Sequence, residues 1–392
     1  MEVITTAQPS PDFWTRQRLQ NRDRDACLRA VQKAYSKHGI EEFGNQGYCS
    51  YTLLATLPTA GCAERDAGVE YSQESGVQKK CHIIQLRPAH HAFDLSITCA
   101  ARTTYSSMAP KVRSLDLILP GGLHAYEMEK LPGTPFDRLQ PCHRTLHADT
   151  GSKLEGLITS FADLIAQSWP SAPRDPAIST CVRADSPVET FPSMLGQCTG
   201  RVGSTLTRRL QKLASELPVA QLRSRAQSAL MAMDSVVDYP VVLNHGDLIP
   251  SNILVDEDTW RITGIVDWAE AEYLPFGMCL YGLEHLLGSL AHPPSLTSQA
   301  TPSDDRSPAF VYYENAAFLR NRFWSRLLEA VPELRSRKED VMMMRDAGVL
   351  LWRGIAWDNG AMDRVVNEMD DTDELTYLRA FLGAPWCDVV GH

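Results

Sequence analysis

The segment Val241–Gly277 reads VVLNHGDLIPSNILVDEDTWRITGIVDWAEAEYLPFG. Two short apolar runs flank the acidic turn Asp256-Glu257-Asp258. An Asp follows His245-Gly246, an Asn stands five residues after that Asp, and Asp267-Trp268 closes the second run. The spacing predicts a strand through Val241–Asn244, a loop carrying Asp247, and an antiparallel hairpin made of SNILV and RITGIVDW. Such a hairpin brings Asn252, at the start of one strand, near Asp267, at the end of the other. Asp247 lies on the loop that leads into the same corner. A carboxylate and an amide oxygen form the protein part of a magnesium site completed by substrate phosphates. A second carboxylate free of the metal can accept the proton of an attacking hydroxyl, which is the layout phosphoryl transfer uses. Singly, Asp and Asn at strand ends read as turn residues; together at this spacing they point to chemistry.

The chain around this segment has 392 residues, enough for two lobes with a core each. Hydrophobic residues make up 44% and charged residues 22%, as in an ordinary globular protein. No apolar run reaches the length of a membrane helix. The N-terminus lacks the charged-then-apolar layout of a signal peptide. The expectation is a cytoplasmic protein without a membrane partner. A formal charge of -10 and no basic block argue against nucleic acid as a partner. The ten cysteines include no C-x-x-C pair and read as core or surface residues, not as a zinc site. Nothing in the sequence sets the oligomeric state.

Residues 1–40 read as a helical extension that stops at Gly39. NQGYCSYTLLATL (45–57) and KKCHIIQLRP (79–88) read as a loop feeding one strand and then a second. FDLSITCAARTTYSSMAP (93–110) reads as a helix, and LDLILPGGLHAYEMEK (115–130) as two strands around a Gly-Gly turn. From there the pattern turns helical. Residues 152–170 carry the stripe Leu154, Leu157, Ile158, Phe161 and Ile165. An irregular insertion follows at 171–203, then helices near 204–216, 220–235 and 279–290, a loop at 292–308, and long helices to the end. The outline is α+β: a helical extension (1–40), a small strand-rich lobe (41–130) and a large helical lobe (131–392), joined by a hinge near Glu127–Gly133. Ligand sites favour such junctions.

The H-x-D-x-x-x-x-N spacing, with Asp267 where protein kinases carry D-F-G, matches the kinase catalytic loop. His-Gly-Asp and Asp-Trp narrow the match. The stretch resembles the aminoglycoside phosphotransferase and choline-kinase-like family, and VDWAEAEYLPFG, AYEMEKLPGTPF and IIQLRP look like its fungal members, often found beside secondary-metabolite genes. The resemblance covers roughly residues 40–290. It implies a protein-kinase-like bilobal α+β fold: a small N-terminal antiparallel-sheet lobe and a larger, mostly helical C-terminal lobe. It also implies ATP or GTP with Mg2+, and transfer of the γ-phosphoryl group to a hydroxyl of a small molecule. Carried over by position, Asp247 is the base, with His245 beside it as a brace for the loop. Asn252 and Asp267 hold magnesium. Gln46–Ser50, with Gly47 and Ser50, covers the nucleotide phosphates, and the stretch from Glu127 through Met128 and Glu129 to Leu131 offers backbone groups to the adenine.

The chain departs from the kinase pattern in its sheet. The strand CHIIQLR holds no Lys after Lys80, and alternation puts Arg87 on one face with Gln85, so Arg87 is the natural phosphate cation and Lys80 the alternative. The next helix has no Glu, and its one acid, Asp94, reads as an N-cap. These departures keep a second reading open, a nucleotide-binding pseudokinase with little turnover. A third reading uses the same site to activate a carboxylate. Glu270, Glu272, Glu284, Trp352, Trp357 and Asp358 are candidates to hold a cationic or ring-bearing substrate, each with a plain alternative as a solvated, core or capping residue. Met342–Met344 read as core packing.

Overall fold

The computed structural model describes residues 12–44, 46–57, 81–170, 193–236, 238–292, 308–358 and 360–384. Lys80, most of the 171–203 insertion, most of the 292–308 loop and Cys62, Cys181 and Cys387 lie outside the described residues. The chain divides into two compact units: Met1–Arg102 with Pro110–Leu131, and Thr103–Ala109 with Pro132–His392. No described helix is long and apolar enough to cross a membrane.

The first unit is built on an antiparallel sheet of five strands, β1 (Gly39–Glu42), β2 (Tyr51–Thr56), β3 (Cys81–Arg87), β4 (Val112–Leu115) and β5 (His124–Glu129), in the order β1-β2-β3-β5-β4. Alternation along β2 and β3 sends Tyr51, Leu53, Ala55, Ile84 and Leu86 to one face, where all are buried. That face is covered by α1 (Phe13–Arg16) and α2 (Asn21–Ala34), whose Phe13, Trp14, Cys27 and Val31 share its core. The helical segment read as an extension therefore packs into the sheet unit. Its start is set by Asp12, which accepts from Thr15 N at 2.7 Å, and by a Gln20–Asp23 capping box. The helix α3 (Leu95–Tyr105) starts after Asp94, whose carboxylate accepts from Ser96 N at 2.8 Å, so Asp94 is a cap.

The second unit is mainly helical. Its strands are β6 (Thr134–Pro135), β7 (Val241–Asn244), β8 (Ile253–Val255), β9 (Ile262–Ile265), β10 (Glu272–Pro275), β11 (Gly288–Ala291) and β12 (Ala309–Tyr312). Its helices are α4 (Ala148–Ala166), α5 (Met194–Gln197), α6 (Gly200–Gly203), α7 (Leu206–Glu216), α8 (Ala220–Ser235), α9 (Tyr281–Leu286), α10 (Ala316–Ala330), α11 (Lys338–Gly354) and α12 (Thr372–Gly383). The expected apolar stripe of α4 is buried, and Phe161 meets Phe323 of α10 at 5.8 Å. The hairpin forms as its sequence requires: Ile253 pairs with Ile265 and Leu254 with Gly264. The helix expected over 279–290 is shorter, because Gly288 opens β11, which pairs with β12. The α+β class holds, with an antiparallel sheet in the first unit and helices dominating the second.

Candidate active site

Three devices assemble the corner after β7. Gly246 takes φ +79°, and a Cβ there would sit 1.9 Å from Glu270 O, so only glycine fits between His and Asp. Asn252 Nδ2 donates to Asp247 O at 2.8 Å and to Asp247 Oδ2 at 2.9 Å, which folds the loop back on itself. Val266 joins both sides: its N–H donates to Asn252 O at 3.0 Å, and its carbonyl lies 2.8 Å from His245 Nε2. The next residue, Asp267, stands in the left-handed region at φ 61°, which Asp tolerates better than most residues. Asp247, Asn252 and Asp267 are thus brought to one corner by short-range bonds.

The same bonds define protonation. His245 Nδ1 accepts from Asp247 N at 3.2 Å, so the proton sits on Nε2 and is donated to Val266 O. The ring is buried against Trp268 at 4.6 Å. Burial pushes the imidazole down to about 4. A neutral ring with both nitrogens engaged braces the loop. Asp247 is raised to about 6, first by burial and then by the charge of Asp267. Its Oδ1 is buried and has no hydrogen-bond partner. Trp268 is buried and donates through Nε1 to Ile265 O at 2.9 Å, which anchors the residue after Asp267.

Among the described residues no group of three or more His, Cys, Asp or Glu could hold a metal. A magnesium ion completed by phosphate oxygens needs fewer protein ligands. Asn252 turns its amide nitrogen to Asp247, and two carboxylates, Asp247 and Asp267, act on each other unfavourably. An orphaned carboxylate oxygen beside a second carboxylate fits a divalent cation at this corner.

The nucleotide-side residues of the first unit are placed differently. Arg87 is 1% exposed; its Nε donates to Gln85 Oε1 at 2.8 Å, Nη1 donates to His91 O at 3.3 Å, and the guanidinium lies 4.0 Å over the Phe93 ring. This corrects the expectation of a phosphate cation: as placed, the guanidinium is committed to the fold. β5 lies between β3 and β4, so the backbone groups of Glu127 and Met128 go to the sheet ladders, and Glu129 N donates to Lys111 O at 2.9 Å. Of the stretch expected to offer backbone groups to adenine, Lys130 and Leu131 fall beyond the strand. The Glu127 carboxylate takes Arg113 at 2.6 Å. In the Gln46–Ser50 loop, Ser50 is buried and its Oγ is 3.5 Å from Thr52 Oγ1. Arg16 donates to Gly47 O at 3.3 Å and Tyr48 O at 3.0 Å and stacks on Tyr48 at 4.4 Å. Sequence reading missed this latch, since 31 residues separate Arg16 from Gly47 and no motif joins them.

The substrate candidates also separate. Glu284 is buried between Arg320 (2.8 Å) and Arg345 (2.9 Å) and accepts from the Tyr312 hydroxyl. Burial alone would raise its carboxyl; the Arg345 and Arg320 charges hold it low. Glu272 is buried and caps α6, accepting from the N–H groups of Arg201, Val202 and Gly203. Asp358 pairs with Arg364 at 2.8 Å. As placed, these three are engaged within the fold, which favours the plain alternative given for each over a role as a ligand for a cation. Glu270 and Trp357 are exposed, and Trp352 packs against Tyr281 at 5.1 Å. Met342 and Met344 are core residues.

Residues 101–278 match the family model described as the phosphotransferase enzyme family. The matched span includes the whole corner from His245 to Asp267. No curated protein matches the chain. Among solved structures, the macrolide 2'-phosphotransferase of Brachybacterium faecium is 17% identical, with 84% of this chain and 92% of that chain covered and a TM-score of 0.44. An aminoglycoside phosphotransferase of Streptomyces rimosus, in complex with ADP and streptomycin, is 16% identical over 83% and 98%, at 0.40. The ethanolamine kinase of Plasmodium vivax is 10% identical over 88% and 82%, at 0.43.

Proposed function

We propose that this chain is a small-molecule kinase that moves the γ-phosphoryl group of ATP or GTP, with Mg2+, to a hydroxyl of a small molecule. A cytoplasmic place and a secondary metabolite as acceptor belong to the same reading. The observation that carries it is the Asp247 carboxylate: buried at Oδ1, unpartnered there, raised to about 6, and held by Asn252 on its other oxygen. The match of residues 101–278 to a phosphotransferase family supports it. Asp247 takes the proton of the attacking hydroxyl as that oxygen bonds to phosphorus, and the nucleoside diphosphate leaves with the former bridging oxygen. An aspartate near 6 is ionised at neutral pH and still basic enough to assist. Asn252 and Asp267 would hold magnesium, which when bound neutralises phosphate charge. His245, neutral and doubly engaged, keeps Asp247 in place and carries no proton.

The committed Arg87 favours a second reading, nucleotide binding with little turnover. Thermal unfolding with ATP, magnesium and both, followed by an assay of ADP release against a library of hydroxyl compounds, separates the two. Saturating ligand at about a hundred times its Kd adds ~2.7 kcal/mol. A rise in Tm that needs both ligands, with acceptor-dependent ADP release, is the expected result. A rise without turnover supports the second reading. No rise at millimolar ATP defeats both.

A further inference from the structure

Two residues at the end of α11 have the defect complementary to that of Asp247. Its Oδ1 is buried and accepts no hydrogen bond, while Trp352 Nε1 and Arg353 Nε are buried and donate none. Contacts within the second unit link the three. Leu248, next to Asp247, donates its N–H to the Tyr281 hydroxyl at 3.1 Å. The Tyr281 ring meets Trp352 at 5.1 Å, and the Arg353 guanidinium lies 5.0 Å from the Trp352 ring centroid. The charge of Arg353 also reaches Asp247, as the smallest of the influences on its carboxyl. All three side chains keep part of their surface exposed.

The rest of Arg353 is engaged. Nη2 donates to His285 Nε2 at 2.9 Å, the guanidinium stacks on Tyr377 at 3.9 Å, and Nη1 is 3.9 Å from Glu374. His285 is neutral, because burial and the Arg353 charge hold it well below the ordinary histidine range. The Nε edge is the part left over. A buried polar atom without a partner is destabilising, and a ligand that satisfies all three removes that penalty. The complement of one acceptor and two donors is a molecule with a hydroxyl and, beside it, acceptor oxygens. Three of the acids that could hold a cation instead are spoken for, Glu284 by two arginines, Glu272 by the α6 amides and Asp358 by Arg364, while the fourth, Glu270, is exposed.

Resting on the phosphotransferase reading, we infer that the acceptor is a ring-bearing hydroxy acid, its hydroxyl on Asp247 and its carboxylate on Trp352 Nε1 and Arg353 Nε. It is not an aminated sugar. Guanidinium and indole N–H groups both suit carboxylate oxygens, and the Trp352–Tyr281 pair offers a ring its stacking partner. A site built to hydrogen-bond a group rejects analogues that lack it.

The test uses hydroxylated aromatic acids paired with amines of the same skeleton, headed by mandelate and 2-amino-1-phenylethanol. Binding to the full chain with Mg-ADP is followed by tryptophan fluorescence and by Tm. The acids are expected to bind and the amines not. Trp352→Phe, which keeps the ring, should weaken acid binding about threefold, Arg353→Gln about tenfold or more, and Arg353→Lys less than Arg353→Gln. Amines binding as well as acids, acids binding equally to parent and variants, or no acid binding at millimolar concentration overturns the inference. The Mg-ATP shift, measured on the same samples, reports the fold of each variant. Its absence in the parent defeats the phosphotransferase reading itself; its presence with no acid bound defeats this inference alone.

Discussion

The corner after β7 and the sheet of the first unit hold their polar residues in opposite ways. In the corner, the side chains of Asn252 and His245 hold the loop and a carboxylate oxygen is left over: both bond to Asp247, yet its Oδ1 has no partner. In the sheet the groups expected to serve the nucleotide are engaged, although Trp14 Nε1 and His38 Nδ1 of the same unit are buried without a partner. Arg87 is stacked and bonded, Glu127 is paired, and Arg16 is spent on two carbonyls of the 46–50 loop. At the corner the leftover oxygen belongs to an acid raised by burial and by a second carboxylate, a combination that suits a ligand site, whereas the engaged charges of the sheet serve the fold.

The sharpest way to break this contrast is Asp247→Asn. Turnover should fall by about 10²–10⁴-fold, while stability at neutral pH rises. The folded pKa of about 6 lies above the unfolded value, so the carboxyl's favourable contribution is full at low pH and is lost as pH rises through 6. Asn removes a penalty on the order of 2 kcal/mol at pH 7.5. The parent's kcat/KM should fall as pH drops through about 6. A lowered Tm in the variant, or a flat pH profile, would place Asp247 among the structural residues.

Arg87→Ala should do the reverse. It deletes a buried, stacked side chain and should cost about 2–4 kcal/mol of stability, seen in urea unfolding, while the nucleotide KM stays within about twofold. A KM raised tenfold with unchanged stability would restore Arg87 as a phosphate ligand and erase the contrast.

Arg16→Ala sharpens it least. Releasing Gly47 O and Tyr48 O should loosen the 46–50 amides in hydrogen exchange. It should also weaken Mg-ATP binding by roughly threefold to tenfold, with kcat at saturation unchanged. Unaltered exchange in this loop would remove the latch.

What could be read in the chain follows from distance. Asp247, Asn252 and Asp267 lie within one hairpin, where alternation and turn chemistry decide geometry over a few residues. The strands β2, β3, β5, β8 and β9, the α4 stripe and the Asp94 cap follow from the same local rules. Placement beyond that reach was not legible. Arg87 shares its strand face with Gln85 as alternation requires, but no pattern in β3 says that Phe93 will cover its guanidinium. Glu284 and Glu272 look like free acids in sequence and become buried partners of arginines and amides contributed by distant elements. Gly246 stands between: the sequence shows a glycine, and the approach of Glu270 O shows why no other residue serves. By itself the sequence determined the periodicities, the caps and the spacing that brings Asp247, Asn252 and Asp267 together, because those depend on backbone geometry shared by all chains. Only the tertiary structure decided which charges are neutralised and which stay unpaired, because burial and partners are properties of the whole packed chain.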